Sequence, residues 1–251
     1  MNYIETHLVD HCNLKCKGCS HFSGLANPYF KNLSEYEDEI RQLAKITNHN
    51  IHTIRLMGGE PLLHPDVVEF CVITRQYFPY SQIALVSNGI LLPKLTDEQI
   101  NTLNHYNIEL CMSNYGLKLD QNQINKFNHH YFHNKNDMYN ISLDLEATQN
   151  NVSSFNNCDI VKGGWYFFKD GRLYQCCVMA NIDYFCSYFN KEINYDLDDI
   201  SIDIYTHTLE EIEAFLHTPH NVCAYCDTRL RNHTYAPFAI SKGDIHEWTK
   251  N

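Results

Sequence analysis

The sequence predicts an α/β chain, with parallel strands joined by helices, on three observations. Short β-rich runs alternate with segments of helical periodicity through the first 150 residues, the links between them are short, and the runs end in small or polar residues. Alternation with short links implies right-handed crossovers and a single sheet. In sheets of this kind the chemistry lies at the carboxyl ends of the strands, so the residues that follow each run are the ones to inspect.

Ile4 to Val9 reads as the first strand and delivers its carboxyl end to Cys12. Ser34-Glu35-Tyr36-Glu37 has the spacing of a capping box, and Tyr36, Ile40, Leu43 and Ala44 then recur at helical intervals. Thr53 to Met57 is a second strand, running into Gly58-Gly59-Glu60-Pro61. Asp66 to Tyr77 is helical in pattern, and Ile83 to Val86 is a third strand ending at Ser87-Asn88-Gly89. Thr96-Asp97-Glu98-Gln99 opens a further helix with the same capping chemistry. Ile108 to Met112 is a fourth strand ending at Ser113-Asn114, and Ile141 to Leu145 a fifth. Beyond it, Trp165 to Tyr174 reads as a β-hairpin around Asp170-Gly171. Thr208-Leu209-Glu210-Glu211 caps a last helix, which ends near Pro219. The domain organisation expected is one α/β domain over residues 1–150 and a smaller one over 151–251.

Composition narrows the class. A chain of 251 residues buries a sizeable core. No apolar run approaches the ~18 residues of a membrane span, and Met1-Asn2-Tyr3-Ile4-Glu5 lacks the basic and apolar regions of a signal peptide. Eleven cysteines without an export signal point to metal binding in a reducing, cytoplasmic setting. A net charge of −11, with no long charge block, argues against a phosphate-backbone partner. Neither a nucleic acid nor a membrane is expected as partner.

The most informative run is His11-Cys12-Asn13-Leu14-Lys15-Cys16-Lys17-Gly18-Cys19. Three thiolates at C-x3-C-x2-C spacing can converge on three irons of a four-iron cube, leaving the fourth iron open. Zinc, completed by His11 or His21, is the alternative, although zinc commonly takes two separated pairs of ligands. Gly58-Gly59 lets backbone approach a ligand closely, and Glu60 beside main-chain carbonyls suits an ammonium group. This triplet, with Gly-Gly-Glu-Pro at the end of the next strand, resembles the radical S-adenosylmethionine (SAM) superfamily. The resemblance implies a partial (β/α)6 barrel and a 4Fe-4S cluster on Cys12, Cys16 and Cys19 that chelates SAM. Gly58, Gly59, Glu60 and Pro61 would then serve the SAM amino group. Ser87, Asn88 and Ser113 would meet its ribose and carboxylate, Ser113 most directly. Gly18 departs from the pattern, since an aromatic residue commonly stands there against the adenine.

Cys158, the pair Cys176-Cys177, and Cys223-Ala224-Tyr225-Cys226 surround the hairpin and the last helix. This order resembles the twitch module, the shortened form of the SPASM extension. It implies a second, auxiliary 4Fe-4S cluster on Cys158, Cys176, Cys223 and Cys226, for which four zinc-bound thiolates are the structural alternative. Cys71, Cys111 and Cys186 sit in apolar patterns as small buried hydrophobes. Histidines such as His129-His130 are expected at the surface.

The implied activity is hydrogen abstraction from a small molecule by a 5′-deoxyadenosyl radical, with a flavodoxin- or ferredoxin-type protein as reductant. An auxiliary cluster that accepts the residual electron suits oxidation of an alcohol on a sugar, aminocyclitol or nucleotide-linked sugar. Glu5 and His7 share one strand face and are the candidates for the base. Cys177, beside a ligand, is a candidate hydrogen donor, which would make the reaction a redox-neutral epimerisation. With eleven residues ahead of Cys12 there is no room for a leader-binding domain, so a peptide substrate is expected only for a leader-independent maturase. A non-enzymatic iron–sulfur or zinc protein acting in electron transfer is the class-level rival.

Overall fold

The first helix begins earlier than its Ser34 signal. Its N-cap is Asn32, whose side chain accepts from the backbone N–H groups of Ser34 and Glu35, so α1 runs Leu33–Ile46. A computed structural model gives this geometry and describes residues 1–133, 137–139, 142–231 and 235–250. By its own contacts the chain divides into two compact units: Met1–Cys12 with Pro28–Asn136, and Asn13–Asn27 with Asp137–Asn251. The expected cut at residue 150 thus has its counterpart at residue 136, and the short cysteine-bearing segment Asn13–Asn27 groups with the later residues.

In the first unit, strands β1 (Tyr3–Val9), β2 (Thr53–Gly58), β3 (Gln82–Ser87), β4 (Ile108–Met112) and β5 (His130–Phe132) alternate with α1, α2 (Val67–Tyr77), α3 (Asp97–His105) and the short α4 (Gln121–Ile124). The sheet order is β5-β4-β3-β2-β1, with every pairing parallel. One face carries Ile4, Leu8, Ile54, Leu56, Ile83, Leu85 and Leu110, all buried, as strands covered by crossover helices require. Thr96 and Gln99 close a reciprocal capping box at the start of α3. The sheet is open, an α/β partial barrel as expected, and this unit supplies five of its strands, all parallel.

The fifth strand is His130–Phe132, not residues 141–145. Ile141 lies outside the described residues, and the stretch after it forms only isolated bridges from Leu143 to Cys226 and Thr249. The reason is Asp144. Its buried carboxylate accepts from the backbone N–H of Glu146, from Gln149 Nε2 at 2.7 Å and from Lys250 Nζ at 2.6 Å. An Asx-type turn of this kind ends an extended run as soon as it has begun. Burial pushes the Asp144 carboxyl up, but the hydrogen bonds from Gln149, Lys250 and Thr148 hold it well below the usual carboxylate range.

In the second unit, β6 (Asp137–Tyr139) pairs antiparallel with β10 (Tyr235–Pro237). Two short helices, α5 (Asn151–Asn157) and α6 (Asp159–Gly163), lead to the hairpin β7 (Tyr166–Lys169) and β8 (Arg172–Tyr174). Asp170 and Gly171 turn that hairpin at φ 51° and 69°, the left-handed pair that a two-residue I′ turn needs. After α7 (Cys177–Ala180), α8 (Ile182–Phe189) and α9 (Leu197–Ile200), strand β9 (Ser201–Asp203) joins β8 antiparallel. Helix α10 (Leu209–Leu216) follows with a Thr208–Glu211 capping box, and α11 (Thr228–Arg231) precedes β10. Phe22, Phe167, Val178, Ile182, Phe185 and Trp248 centre the core of this unit. None of the helices among the described residues is long and apolar enough to cross a membrane.

Candidate active site

The end of β2 lies directly against the end of β1. Gly59 N–H donates to Val9 O at 2.8 Å, and Glu60 N–H donates to His11 O at 3.2 Å. A Cβ on Gly59 would stand 2.0 Å from His11 O and 2.6 Å from the Cys12 nitrogen, so only glycine permits this approach. Gly58, at φ 153°, is equally tight, with Val9 O 2.1 Å from where its Cβ would be. The paired glycines thus bring the Gly-Gly-Glu-Pro turn within van der Waals contact of the backbone that enters Cys12.

Glu60 does something its sequence context did not reveal. It is fully buried, and its carboxylate is consumed within the fold. Oε1 accepts from Ser87 Oγ at 2.7 Å and from the Leu62 N–H at 3.1 Å, while Oε2 accepts from the Asn88 N–H at 2.9 Å. The side chain read as a partner for an ammonium is therefore a latch joining the carboxyl ends of β2 and β3. Burial raises its pKa from the usual carboxylate range to about 7, against the lowering effect of those three hydrogen bonds. Pro61 starts the short 3-10 turn Pro61–Leu63 behind it.

Ser87 is committed to the same latch, since its hydroxyl also accepts from the Gly89 N–H at 2.9 Å. Asn88 faces the cysteine loop: its Nδ2 donates to Cys12 Sγ at 3.8 Å. Ser113, half-buried at the end of β4, is tied through its N–H to Ser87 O at 3.0 Å. Glu5 and His7 lie on one face of β1, as alternation requires. Tyr3 Oη donates to Glu5 Oε1 at 2.5 Å, and His7 Nδ1 lies 3.0 Å from Asp10 Oδ1. Sequence reasoning missed Asp10. Its signal was the polar residue at the strand end, three positions from a histidine.

Cys12 ends the first unit, whereas Cys16 and Cys19 belong to the second. There Cys16 bridges Ile240, the Cys19 N–H donates to Cys16 O at 3.4 Å, and Trp248 Nε1 donates to Cys19 O at 3.1 Å. Gly18 adopts φ 65°, a left-handed conformation that an aromatic residue would enter only under strain. The departure at this position has a backbone cause.

The second unit gathers the other four cysteines. Cys158, Cys176, Cys223 and Cys226 line one recess. Val161, Met179, Ile200 and Val222 supply apolar walls. Local hydrogen bonds hold the ligand backbone: Cys226 N–H to Cys223 O at 3.2 Å, Ser154 Oγ to Cys226 O at 2.9 Å, and Lys162 N–H to Cys158 O at 2.9 Å. Cys176 faces this recess. Cys177, which opens α7, is buried in the apolar core of the unit instead. None of the cysteines is in a disulfide. Four thiols around an apolar recess with few competing donors fit a thiolate-held metal group, and the C-x3-C-x2-C spacing of Cys12, Cys16 and Cys19 fits another. Cys71 and Cys111 are fully buried as expected, and Cys186 is partly buried against the core.

Residues 7–129 match the model of the radical SAM superfamily and form a radical SAM domain. The cofactors of that family are SAM and a 4Fe-4S cluster. The GTP 3′,8-cyclase of Heliobacterium modesticaldum is 30% identical over 111 residues, covering 44% of this chain and 34% of that protein. The GTP 3′,8-cyclase of Alkaliphilus oremlandii is 33% identical over 98 residues, covering 39% and 30%. The matches therefore span about a third of the length of these curated relatives. Among solved structures, BtrN in complex with AdoMet and 2-DOIA aligns over 90% of this chain and 93% of its own, with TM-score 0.59 and 15% identity. Native anSMEcpe with bound AdoMet aligns over 92% and 84%, with TM-score 0.51 and 13% identity. At these identities the likeness shows the partial-barrel fold alone.

Proposed function

We propose that this chain is a radical SAM oxidoreductase that dehydrogenates an alcohol carbon of a sugar, aminocyclitol or nucleotide-linked sugar. Cys12, Cys16 and Cys19 hold the SAM-binding cluster, and Cys158, Cys176, Cys223 and Cys226 hold an auxiliary one. The observation that carries the reading is the gathering of those four cysteines around one recess, because a second electron-accepting group is what turns hydrogen abstraction into net oxidation. When bound, the two clusters and SAM supply a hydrogen-abstracting radical and a sink for one electron.

The chain's own residues do the rest. Gly58 and Gly59 keep side chains out of the approach to the cysteine loop, so backbone carbonyls rather than the buried Glu60 carboxylate face the SAM ammonium. Glu60 keeps the ends of β2 and β3 in register, which places Asn88 against Cys12. Ser113 offers its hydroxyl to the ribose. Glu5 and His7 share the strand face on which an alcohol proton would be taken, and the Asp10 carboxylate at 3.0 Å holds the His7 ring in place. Electrons enter from a flavodoxin- or ferredoxin-type donor in the cytoplasm.

A second reading, on a purine nucleotide, is favoured by the likeness to the GTP 3′,8-cyclases over 111 residues. The experiment that tests the proposal is an anaerobic assay of the reconstituted protein with dithionite and SAM, run against sugar alcohols, aminocyclitols, nucleotide sugars and GTP. Formation of 5′-deoxyadenosine in step with a ketone product supports it. A product of unchanged oxidation state, from every substrate that stimulates cleavage, refutes the dehydrogenase assignment.

A further inference from the structure

The sheet of the first unit has two unlike faces. One is the helix-covered core. On the other, Tyr3, Glu5 and His7 of β1 lie beside Thr53, Arg55 and Met57 of β2, and Ala84, Val86, Cys111 and Tyr131 continue across β3 to β5. Part of this second face is an apolar strip, in which Ala84, Val86 and Cys111 are buried with Met57 and Tyr131 packed against them, and Glu109 stands beside Ala84 at its edge. Arg55 projects at its centre, with Glu5 and Ala84 as register neighbours.

The domain stabilises that charge, through Tyr3 and the neighbouring Glu5 among others, but leaves part of its donor capacity unused. Among the described residues Arg55 forms no ion pair, and its Nε is buried without a hydrogen-bond partner. Its hydrogen-bond contact is Nη2 to His133 Nδ1 at 3.4 Å. His133 is no counter-charge: its pKa is lowered by burial and by the Arg55 charge itself, which keeps the imidazole neutral. The Tyr3 ring lies under the group, with the guanidinium carbon 5.4 Å from its centroid, and holds the plane in one orientation. Arginine cannot relieve burial by losing its proton. A half-buried guanidinium whose plane is oriented and whose Nε finds no partner holds donor capacity that a ligand oxygen can fill. Its planar fork matches the paired oxygens of a phosphate or carboxylate.

We propose that Arg55 is the anchor for an anionic group, phosphate or carboxylate, on the substrate. The inference rests on the reading of this domain as the substrate-binding part of the enzyme, and it narrows that reading: among the proposed substrates it selects those carrying an acidic group over neutral or cationic ones. At about 3.3 Å per residue along a parallel strand, Arg55 lies roughly 13 Å from Gly59, a separation that leaves space for a sugar ring between the anchor and the SAM-binding turn. The flanking apolar strip suits the uncharged body of such a molecule.

The test is calorimetric titration of the reconstituted full chain with inorganic phosphate and, separately, with acetate, at constant ionic strength with chloride as the reference ion. The wild-type chain binds at least one of the two above chloride, and which one identifies the acidic group. Arg55→Met weakens that binding by about tenfold or more, as expected for loss of a charge-assisted pair. Arg55→Lys keeps the charge but loses the fork, and falls between. Failure of the wild-type chain to bind either ion above chloride overturns the proposal without reference to any variant. So does a folded Arg55→Met or Arg55→Lys chain that binds as the wild type does. A wild-type chain that binds phosphate but cleaves no SAM would keep the anion site and refute the enzyme reading, so the two fail separately.

Discussion

Replacing Gly59 by alanine tests whether backbone contact between the ends of β1 and β2 builds the site. The added Cβ would lie 2.0 Å from His11 O and 2.2 Å from the His11 carbonyl carbon. Both are main-chain atoms, so no flexible side chain can move aside, and the strand ends must part by about 1 Å to reach an ordinary contact. Overpacking of this kind costs about 1–3 kcal/mol. Parting the strands also weakens Gly59 N–H to Val9 O and Glu60 N–H to His11 O, at about 1 kcal/mol each. The sum is about 3–5 kcal/mol, a large share of a typical folding stability, or roughly 10 °C in melting temperature for a chain of this size. Thermal unfolding followed by circular dichroism reads that shift, with SAM cleavage measured on the folded fraction. Gly24→Ala is the control, because its Cβ would stand 3.1 Å from the nearest atom, Lys15 Cα, and needs only a small adjustment. A Gly59→Ala chain that melts within about 1 °C of wild type and cleaves SAM fully would refute the close-approach argument.

Three further outcomes are expected. Cys12→Ala, Cys16→Ala or Cys19→Ala each abolishes 5′-deoxyadenosine formation, and cleavage at the wild-type rate in any of them would remove that cysteine from the ligand set. Cys223→Ala retains uncoupled SAM cleavage but loses product, read as the ratio of 5′-deoxyadenosine to product; equal loss of both in a folded variant contradicts the division of labour between the two cysteine sets. Glu60→Gln changes the pH dependence of stability. With its folded pKa raised to about 7, wild-type Glu60 favours the fold below the unfolded value near 4.5 and loses that contribution as pH rises towards 7, by about 3 kcal/mol. The stability advantage of wild type over Glu60→Gln therefore narrows between those limits in urea titrations, and a constant difference would refute the buried latch.

Much of this architecture was legible in the residues because its signals are local. The Thr96 and Thr208 capping boxes, the Asp170-Gly171 turn and the first four strands depend on neighbours a few positions away, and the structure has them in place. The Ser34 signal failed because Asn32, two residues upstream, already caps the helix by accepting from the Ser34 and Glu35 N–H groups. The run Ile141-Ser142-Leu143-Asp144-Leu145 alternates like a strand, but Asp144 draws donors from Gln149 and Lys250, and no local pattern foretells the second of these. The cysteine spacing and Gly-Gly-Glu-Pro marked the radical SAM domain, whereas the inward turn of Glu60 depends on Ser87 and Asn88, which a sequence cannot place beside it. Arg55 gave no signal at all. A single basic residue in a β-rich run reads as an exposed position, and only strand pairing shows that it shares a face with Tyr3 and approaches His133.

The most direct measurement is the iron and sulfide content of anaerobically reconstituted protein, taken together with 5′-deoxyadenosine formation under dithionite. The account predicts about eight irons and eight sulfides per chain, two four-iron clusters, with SAM cleavage. About four irons with cleavage intact would contradict the auxiliary cluster and with it the oxidative reaction, and a folded chain with neither iron nor cleavage would contradict the enzyme itself.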